Sequence, residues 1–220
     1  MKEWNLPAHL EPWSAEMLRE RLRQGEGDFD GAAFTDLALE EWDFYGVSFT
    51  GCRFTRCRFS GAQMGQCSFV ETVLDGCDFS NAEMEESYWQ RCELVGCKLV
   101  GARLQHARFR QVGFRECVAE YASFDRAGFD RVRMEACGLG SAELRGCKCK
   151  ELTFLHCGLL HVNVCGTALA GVDVSTSETG GWTLTEGAPE VRGMIVTPTQ
   201  AVELAERMGL VIREPGAEKR

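Results

Sequence analysis

From Phe29 to Val174 every fifth residue is Phe, Leu, Met, Trp or Val, with Ala119 and Cys149 the exceptions, so thirty five-residue units follow one another without an insertion. A period of five matches neither the 3.6-residue turn of a helix nor the two-residue alternation of a strand. A chain that keeps it this long must wind into a regular solenoid. With each large residue taken as centre i, residue i−2 is small or apolar, as in CRFTR (52–56), CRFSG (57–61), CDFSN (77–81), CKLVG (97–101) and ARLQH (102–106). Residues two apart in an extended segment point the same way and the residue between them points the other way. Each unit is therefore expected to place i−2 and i inside and i−1 outside, while i+1 and i+2 turn the chain. Glycine recurs at i+2, for example at Gly31, Gly46, Gly61, Gly96 and Gly146, where a turn can demand positive φ.

A slower period sets the number of walls. Cys57, Cys77, Cys97, Cys117, Cys137 and Cys157 recur every twenty residues, and Ala62, Ala82, Ala102, Ala122 and Ala142 do so one unit later. Aromatic centres Phe29, Phe49, Phe69, Trp89, Phe109 and Phe129 keep the same spacing two units away from the cysteines. If like residues stack on like, four units make one coil and the section is square. Ten of the twelve cysteines occupy i−2, with only Cys149 and Cys165 departing. That placement reads as a small buried hydrophobe rather than a metal or redox motif.

Several function classes are excluded or disfavoured by what the chain does not carry. Its net charge of −9 and the absence of any basic stripe argue against direct binding to nucleic acid. No apolar run approaches the roughly 20 residues that span a bilayer, and MKEWNLPAHLEPW has no apolar signal core, so a cytoplasmic protein is expected, without a membrane partner. There is no phosphate loop, nucleophile elbow or histidine-rich metal pattern. His106, His156 and His161 all fall on i+2 corners. The expectation is a protein that is not an enzyme, with no cofactor and no metal.

Three regions follow: an N-terminal cap (1–26), the repeat (27–176) and a tail (177–220). Ser14 is a suitable N-cap for a short helix with Met17, Leu18 and Leu22 on one side and Gly25 as its stop. In the tail, Thr197, Pro198 and Gln200 open a second helix, about 198–208, that Gly209 ends. It carries Ala201, Leu204, Ala205 and Met208 on one stripe, extended by Leu210, Val211 and Ile212. In the last coils Leu155, Leu160, Cys165 and Ala170 stand at i+1, where the tail or a second subunit is expected to cover them.

The (C/A)xFxx units resemble the pentapeptide-repeat family, whose consensus is A(D/N)Lxx, over about two-thirds of the chain. The resemblance implies an all-β fold, a right-handed quadrilateral parallel β-helix of about 7.5 coils, roughly 36 Å long at about 4.8 Å per coil, with the N-terminal helical cap and a C-terminal dimerisation helix. The tail QAVELAERMGLVI is similar to that of the Qnr and MfpA branch, and the unbroken register from 27 to 176 looks like its loopless MfpA type. That branch implies a homodimer through the tail, here through Ala201, Leu204, Ala205, Met208, Leu210, Val211 and Ile212. It also implies binding to DNA gyrase or topoisomerase IV by DNA mimicry, protecting the enzyme from fluoroquinolones or other gyrase poisons. Candidate partner-binding acids are Asp28, Asp30, Asp36, Glu40, Glu41 and Asp43 in one cluster, and Asp75, Asp78, Glu83, Glu85 and Glu86 in another. Arg108, Arg110, Lys148 and Lys150 make one wall the least acidic. The alternative is a non-enzymatic interaction scaffold or regulator with a different protein partner.

Overall fold

The structure, a computed structural model, describes residues 9–213. The repeat winds as a parallel solenoid of about eight turns in which every coil sits on the one before in strict register. Phe29 pairs with Phe49, Phe49 with Phe69, Phe69 with Trp89 and Trp89 with Phe109, each a step of twenty residues. Phe34, Phe54, Leu74, Leu94 and Phe114 form the next wall in the same way. These two walls are made of extended segments, three residues long at Ser48–Thr50 and Arg53–Thr55 and merged into continuous strands at Arg108–Arg115, Gly128–Glu135 and Lys148–Leu155. The other two walls, centred on Leu39 and Phe44, pair with their neighbours through single-residue bridges such as Arg58↔Asp78 and Gln63↔Glu83, with one further N–H bond at each corner, as from Gly61 to the Ser80 carbonyl at 3.0 Å. There the chain closes tight turns instead, with the Ala62 N–H donating to the Phe59 carbonyl at 3.0 Å and that of Ala82 to Phe79 at 3.0 Å.

All the corners share one backbone requirement. Every i+2 residue from Gly31 to Gly171 has a φ between 50° and 80°. Glycine meets this without strain, but Asp36, Arg56, Asn81, Tyr121, Ala136 and many others adopt it too, at roughly 1–2 kcal/mol each. The return is an aligned donor at each corner. Asp36, Arg56, Gly76, Gly96, Glu116 and Ala136 each donate an N–H, at 2.8–2.9 Å, to an i+1 carbonyl of the following coil.

Inside, rings stack along the axis and meet edge to face across it. Phe69 lies on Trp89 at 4.0 Å and Phe59 on Phe79 at 4.9 Å, while Phe49 meets Phe54 edge-on at 5.0 Å. The i−2 cysteines are buried as expected, yet they do more than fill space. Eight of the ten thiols reach a main-chain carbonyl 23 residues earlier, among them Cys57 that of Phe34 (3.4 Å), Cys92 that of Phe69 (3.2 Å) and Cys147 that of Phe124 (3.1 Å), while Cys77 and Cys137 reach only the carbonyl two residues back. Thr72 and Thr167 make the same bond with hydroxyls, to Phe49 and Leu144. The position therefore takes a small or apolar side chain, Ala or Val at many units, and where Cys or Thr stands there its donor can serve this bond. Burial pushes the thiols of Cys52, Cys67, Cys92 and Cys147 up, to about 11, 12, 12 and 12.

Both ends carry more structure than the repeat pattern announces. Glu11–Trp13 forms a strand, β1, that pairs with Ala32–Phe34, and Trp13 meets Phe29 edge-on at 5.2 Å. The helix that follows, α1 (Ala15–Arg23), is capped by Ser14, whose Oγ accepts the Met17 N–H, and it buries Leu18 over the first coil. Met17 is not on that face; it is 43% exposed. At the far end the pairing continues past 176, through Gly158–Leu160 with Glu178–Gly180 and the Asn163↔Thr183 bridge. Trp182 is buried and its indole N–H donates to the Leu159 carbonyl at 2.6 Å. The step then lengthens to twenty-two, Asp173 facing Ile195, because a short 3-10 turn at Pro189–Val191 absorbs two residues. Gly181, at φ 66°, lies beneath the His161 ring, where a Cβ would stand 2.2 Å from Nδ1. Of the i+1 corners expected to be covered, Leu160 and Ala170 are exposed, and Leu155 and Cys165 are half-buried, as i+1 residues such as Ser60 and Val70 are elsewhere along the rod.

Two outcomes test this account. Ala136→Gly relieves a strained, exposed corner and Gly96→Ala creates one where a Cβ meets nothing else within 4 Å. After the entropy of glycine is offset, the urea midpoints should move in opposite directions, by about 0.5–1 kcal/mol each. Shifts of the same sign would remove positive φ as the determinant. The second outcome concerns pH. Because the folded thiol values lie above the ordinary thiol range, their contribution is complete below about pH 8.5. It is then lost as pH rises toward 11–12, at about 1.4 kcal/mol per pH unit per thiol. Cys92→Thr, which keeps the donor as at Thr72, should flatten the slope of unfolding free energy between pH 9 and 11 by that amount (about 1.4 kcal/mol per unit).

Candidate partner-binding surfaces

The interior is filled, so recognition falls to the outer walls and the two ends. The outward residues i−1 and i+1, with the corner residue i+2, form ladders running along the rod, and charges one coil apart can pair across them. Asp36 accepts both guanidinium bonds of Arg56, each at 2.7 Å, and this holds its carboxyl below the usual range. Glu40 is paired with Arg58 and lowered for the same reason. Arg103 bridges Glu83 and Glu85, and Gln66 donates to Glu86 at 2.9 Å.

The eleven acids singled out from sequence do not form one surface. Asp28 and Asp30 stand on the Phe29 wall, Asp36 and Asp75 on or beside the Phe34 wall, and Glu40 and Asp78 on the Leu39 wall, with Glu41 at its edge. Asp43, Glu83, Glu85 and Glu86 lie on the Phe44 wall and its corner. This last group is the densest, but Arg103 offsets much of it. Asp28, Asp30, Glu41 and Asp75 are exposed and form no ion pair among the described residues. Asp43 accepts the Tyr45 N–H at 2.9 Å and Asp78 that of Ser80 at 2.9 Å, bonds local to their own turns. The structure does bring Arg108, Arg110, Lys148 and Lys150 onto the Phe29 wall, with Asp130 between them, 3.7 Å from Arg110 and 3.8 Å from Lys150. That wall is thus acidic toward the N-terminal end and basic toward the other.

The C-terminal helix α2 spans Pro198–Arg207 and is locked to the last coil by one side chain. Gln200 accepts the Thr197 N–H through Oε1 (2.8 Å), while its Nε2 donates to the carbonyls of Val174 (3.0 Å) and Ser177 (2.8 Å). Thr197 completes a capping box by accepting the Gln200 N–H at 3.3 Å. Sequence reasoning saw Gln200 as a helix start; its docking role was hidden because its partners are main-chain groups more than twenty residues away. The apolar stripe divides. Leu204 and Ala205 are half-buried, and Leu204 lines a cavity of about 340 Å³ with Trp182, Met194 and Val196. Ala201, Met208, Leu210, Val211 and Ile212 face solvent together with Val202, which the stripe had omitted; Val211 is 83% exposed.

No group of three or more metal-binding side chains occurs among the described residues. In the ladder from Cys57 to Cys157 each thiol lies against another, and hydrogen bonding to that neighbour together with burial raises Cys57, Cys97 and Cys157 well above the ordinary thiol value. No described helix is long and apolar enough to cross a membrane.

A model for pentapeptide repeats (9 copies) matches residues 29–73, and one for a pentapeptide repeat region matches 67–144 and 87–164. The chain belongs to the pentapeptide-repeat family. Among solved structures it is similar to QnrB1, a plasmid-mediated fluoroquinolone resistance protein, at 22% identity over 86% of this chain and 100% of that chain, with a TM-score of 0.44. It is also similar to HetL, a pentapeptide repeat protein involved in heterocyst differentiation regulation from Nostoc sp. strain PCC 7120, at 15% identity over 83% and 92% and a TM-score of 0.39. A third is a pentapeptide repeat protein of the Arabidopsis thaliana thylakoid lumen, at 23% identity over 44% and 66% and a TM-score of 0.34. No curated protein matches the sequence.

Gln200→Ala removes the bonds that hold α2 to the coil and leaves two carbonyls without that donor. The expected result is a local loss of about 2 kcal/mol, seen as faster amide exchange across 198–207 while the protection of Arg108–Arg115 is unchanged. Equal loss at both places would show that α2 is part of the global folding unit.

Proposed function

We propose that this pentapeptide-repeat protein is a non-enzymatic binding protein that acts as a dimer, joined through its C-terminal tail, and engages type II topoisomerase (DNA gyrase or topoisomerase IV) to protect it from fluoroquinolones or other poisons. The observation that carries the dimer is the set of exposed apolar side chains at one end of the rod, Ala201, Val202, Met208, Leu210, Val211 and Ile212, together with exposed Ile195. Contiguous apolar surface of this kind marks an interaction site. For the partner, the support is the tail's resemblance to the Qnr and MfpA branch and the unpaired acids Asp28, Asp30, Glu41 and Asp75, whose field can steer the rod toward a basic DNA-binding surface. The rod does not carry a DNA-like charge, since duplex DNA carries about one negative charge per 1.7 Å and many acids here are matched by arginine.

That matching also favours a second reading, a scaffold for a different protein partner, in keeping with HetL, a regulator of heterocyst differentiation in its own organism. One set of measurements separates the two. In a gyrase supercoiling assay with a fluoroquinolone, micromolar protein should restore activity, and Met208→Arg, monomeric by light scattering, should restore much less. Asp28→Asn with Asp30→Asn should weaken the effect more than Glu83→Gln with Glu85→Gln, because Arg103 already offsets the latter pair. Neither rescue nor inhibition by the unaltered protein would sink the topoisomerase reading and leave the scaffold.

A further inference from the structure

One outward position breaks the rule of the repeat. Residues at i−1 are exposed or half-buried along the rod, but Glu93 and Gly113, successive steps of one ladder on the Phe34 wall, are buried. Glu93 is 8% exposed, and its Oε2 has no hydrogen-bond partner among the described residues. A carboxylate oxygen removed from water without a partner is costly, and native structures nearly always supply one. The next steps of the ladder explain the space around it. Gly113 contributes no side chain, and Arg133 and Thr153 follow. The missing side chain leaves a cleft of about 310 Å³ with Glu93 at one end, Gln111, Arg131 and Glu151 along the neighbouring corner, and Thr153 at the far side. Cations already in the cleft are committed elsewhere, Arg131 to Asp130 at 3.3 Å and Arg133 to Glu135 at 3.0 Å.

We propose that this cleft is a binding site for an alkylammonium or guanidinium group, which enters over Gly113 and pairs with the carboxylate of Glu93. A bound cation would supply the partner that Glu93 lacks, with the Gln111 and Thr153 side chains and the Glu151 carboxylate beside it. Burial raises the Glu93 carboxyl above the usual glutamate range, opposed in part by the charge of Arg115, so Glu93 holds a proton more readily than a surface glutamate. Binding of a cation favours the ionised form and should reverse that shift. The same chemistry has two sources, an external amine or the cationic groups at residues 1 and 2 of this chain, the α-amine and Lys2.

Agmatine and n-butylammonium serve as probes, with the Glu93 carboxyl carbon followed by NMR as pH is varied. With the full-length protein, saturating probe should lower the pH at which that carbon titrates, and Glu93→Gln should weaken binding at least about tenfold, or about 1.4 kcal/mol. Gly113→Thr, which places a side chain in the cleft beside Glu93 and keeps the carboxylate, should weaken it similarly. An N-terminally acetylated Lys2→Gln chain distinguishes the sources: tighter probe binding identifies the chain's own amines as competitors, and unchanged binding assigns the site to an external cation. Absence of probe binding in both chains, or equal binding by Glu93→Gln, overturns the proposal. Its failure would leave the topoisomerase reading untouched.

Discussion

The main chain turns a corner every five residues, and it can do so only by placing one residue in each unit at positive φ. That constraint governs everything built on it. The corner residue aims its N–H along the axis at the next coil, so the bonds that hold coils together and the strain that bends them arise at the same place. Since all corners from Gly31 to Gly171 comply, the strain of the non-glycine residues is distributed over the rod and offset by axial hydrogen bonds and by the closely packed rings within. A locally unfavourable conformation persists where its surroundings over-determine it.

The same constraint decides what was legible in the sequence. Phe29, Phe49, Phe69 and Trp89 could be stacked in thought because a fixed period leaves one register, and they stack so in the structure. Glycines at i+2 showed where positive φ was tolerated; they did not show that Arg56 or Tyr121 would adopt it, since the demand comes from closure of the coil and not from the residue. The cysteines were read as small hydrophobes, and the carbonyls they bond to, 23 residues away, are main-chain groups that carry no side-chain signature; only Thr72 and Thr167 hinted at a donor. β1 and the coil beyond 176 were missed for a related reason. Strand pairing is made by backbone groups, so Glu11–Trp13 and Glu178–Gly180 can enter the ladder without the repeat's five-residue pattern of side chains.

Charge shows the limit of one-dimensional clusters. Asp36 and Glu40 are neighbours in sequence, yet the coil sets them on different walls and opposite Arg56 and Arg58 from the coil above. Exposed pairs of this type are worth little in stability, typically below about 1 kcal/mol. Their effect on recognition is larger, because each subtracts a charge from the field a partner meets. An acidic run of sequence therefore overstates the acidic surface wherever the ladder supplies arginine one step away, as Arg103 does for Glu83 and Glu85, whereas Asp28, Asp30 and Asp75 keep their charge unmatched by an ion pair among the described residues.

The ends then carry the burden of specificity. A solenoid has no natural stopping point, and an open last coil offers unpaired N–H and C=O groups to any passing strand. At the first coil the chain answers with β1 and Leu18 of α1, which close it with backbone bonds and apolar contact. At the last coil it answers with polar bonds instead: Gln200 takes the carbonyls of Val174 and Ser177, and Glu190 accepts from the N–H groups of Gly166 and Thr185. Closing that end with side-chain amide and carboxylate groups frees the apolar residues from Met208 to Ile212 to face outward. A cap that satisfied the backbone by burying those residues would leave no apolar surface at this end, and their exposure beside a closed coil is the observation on which the proposed dimer rests.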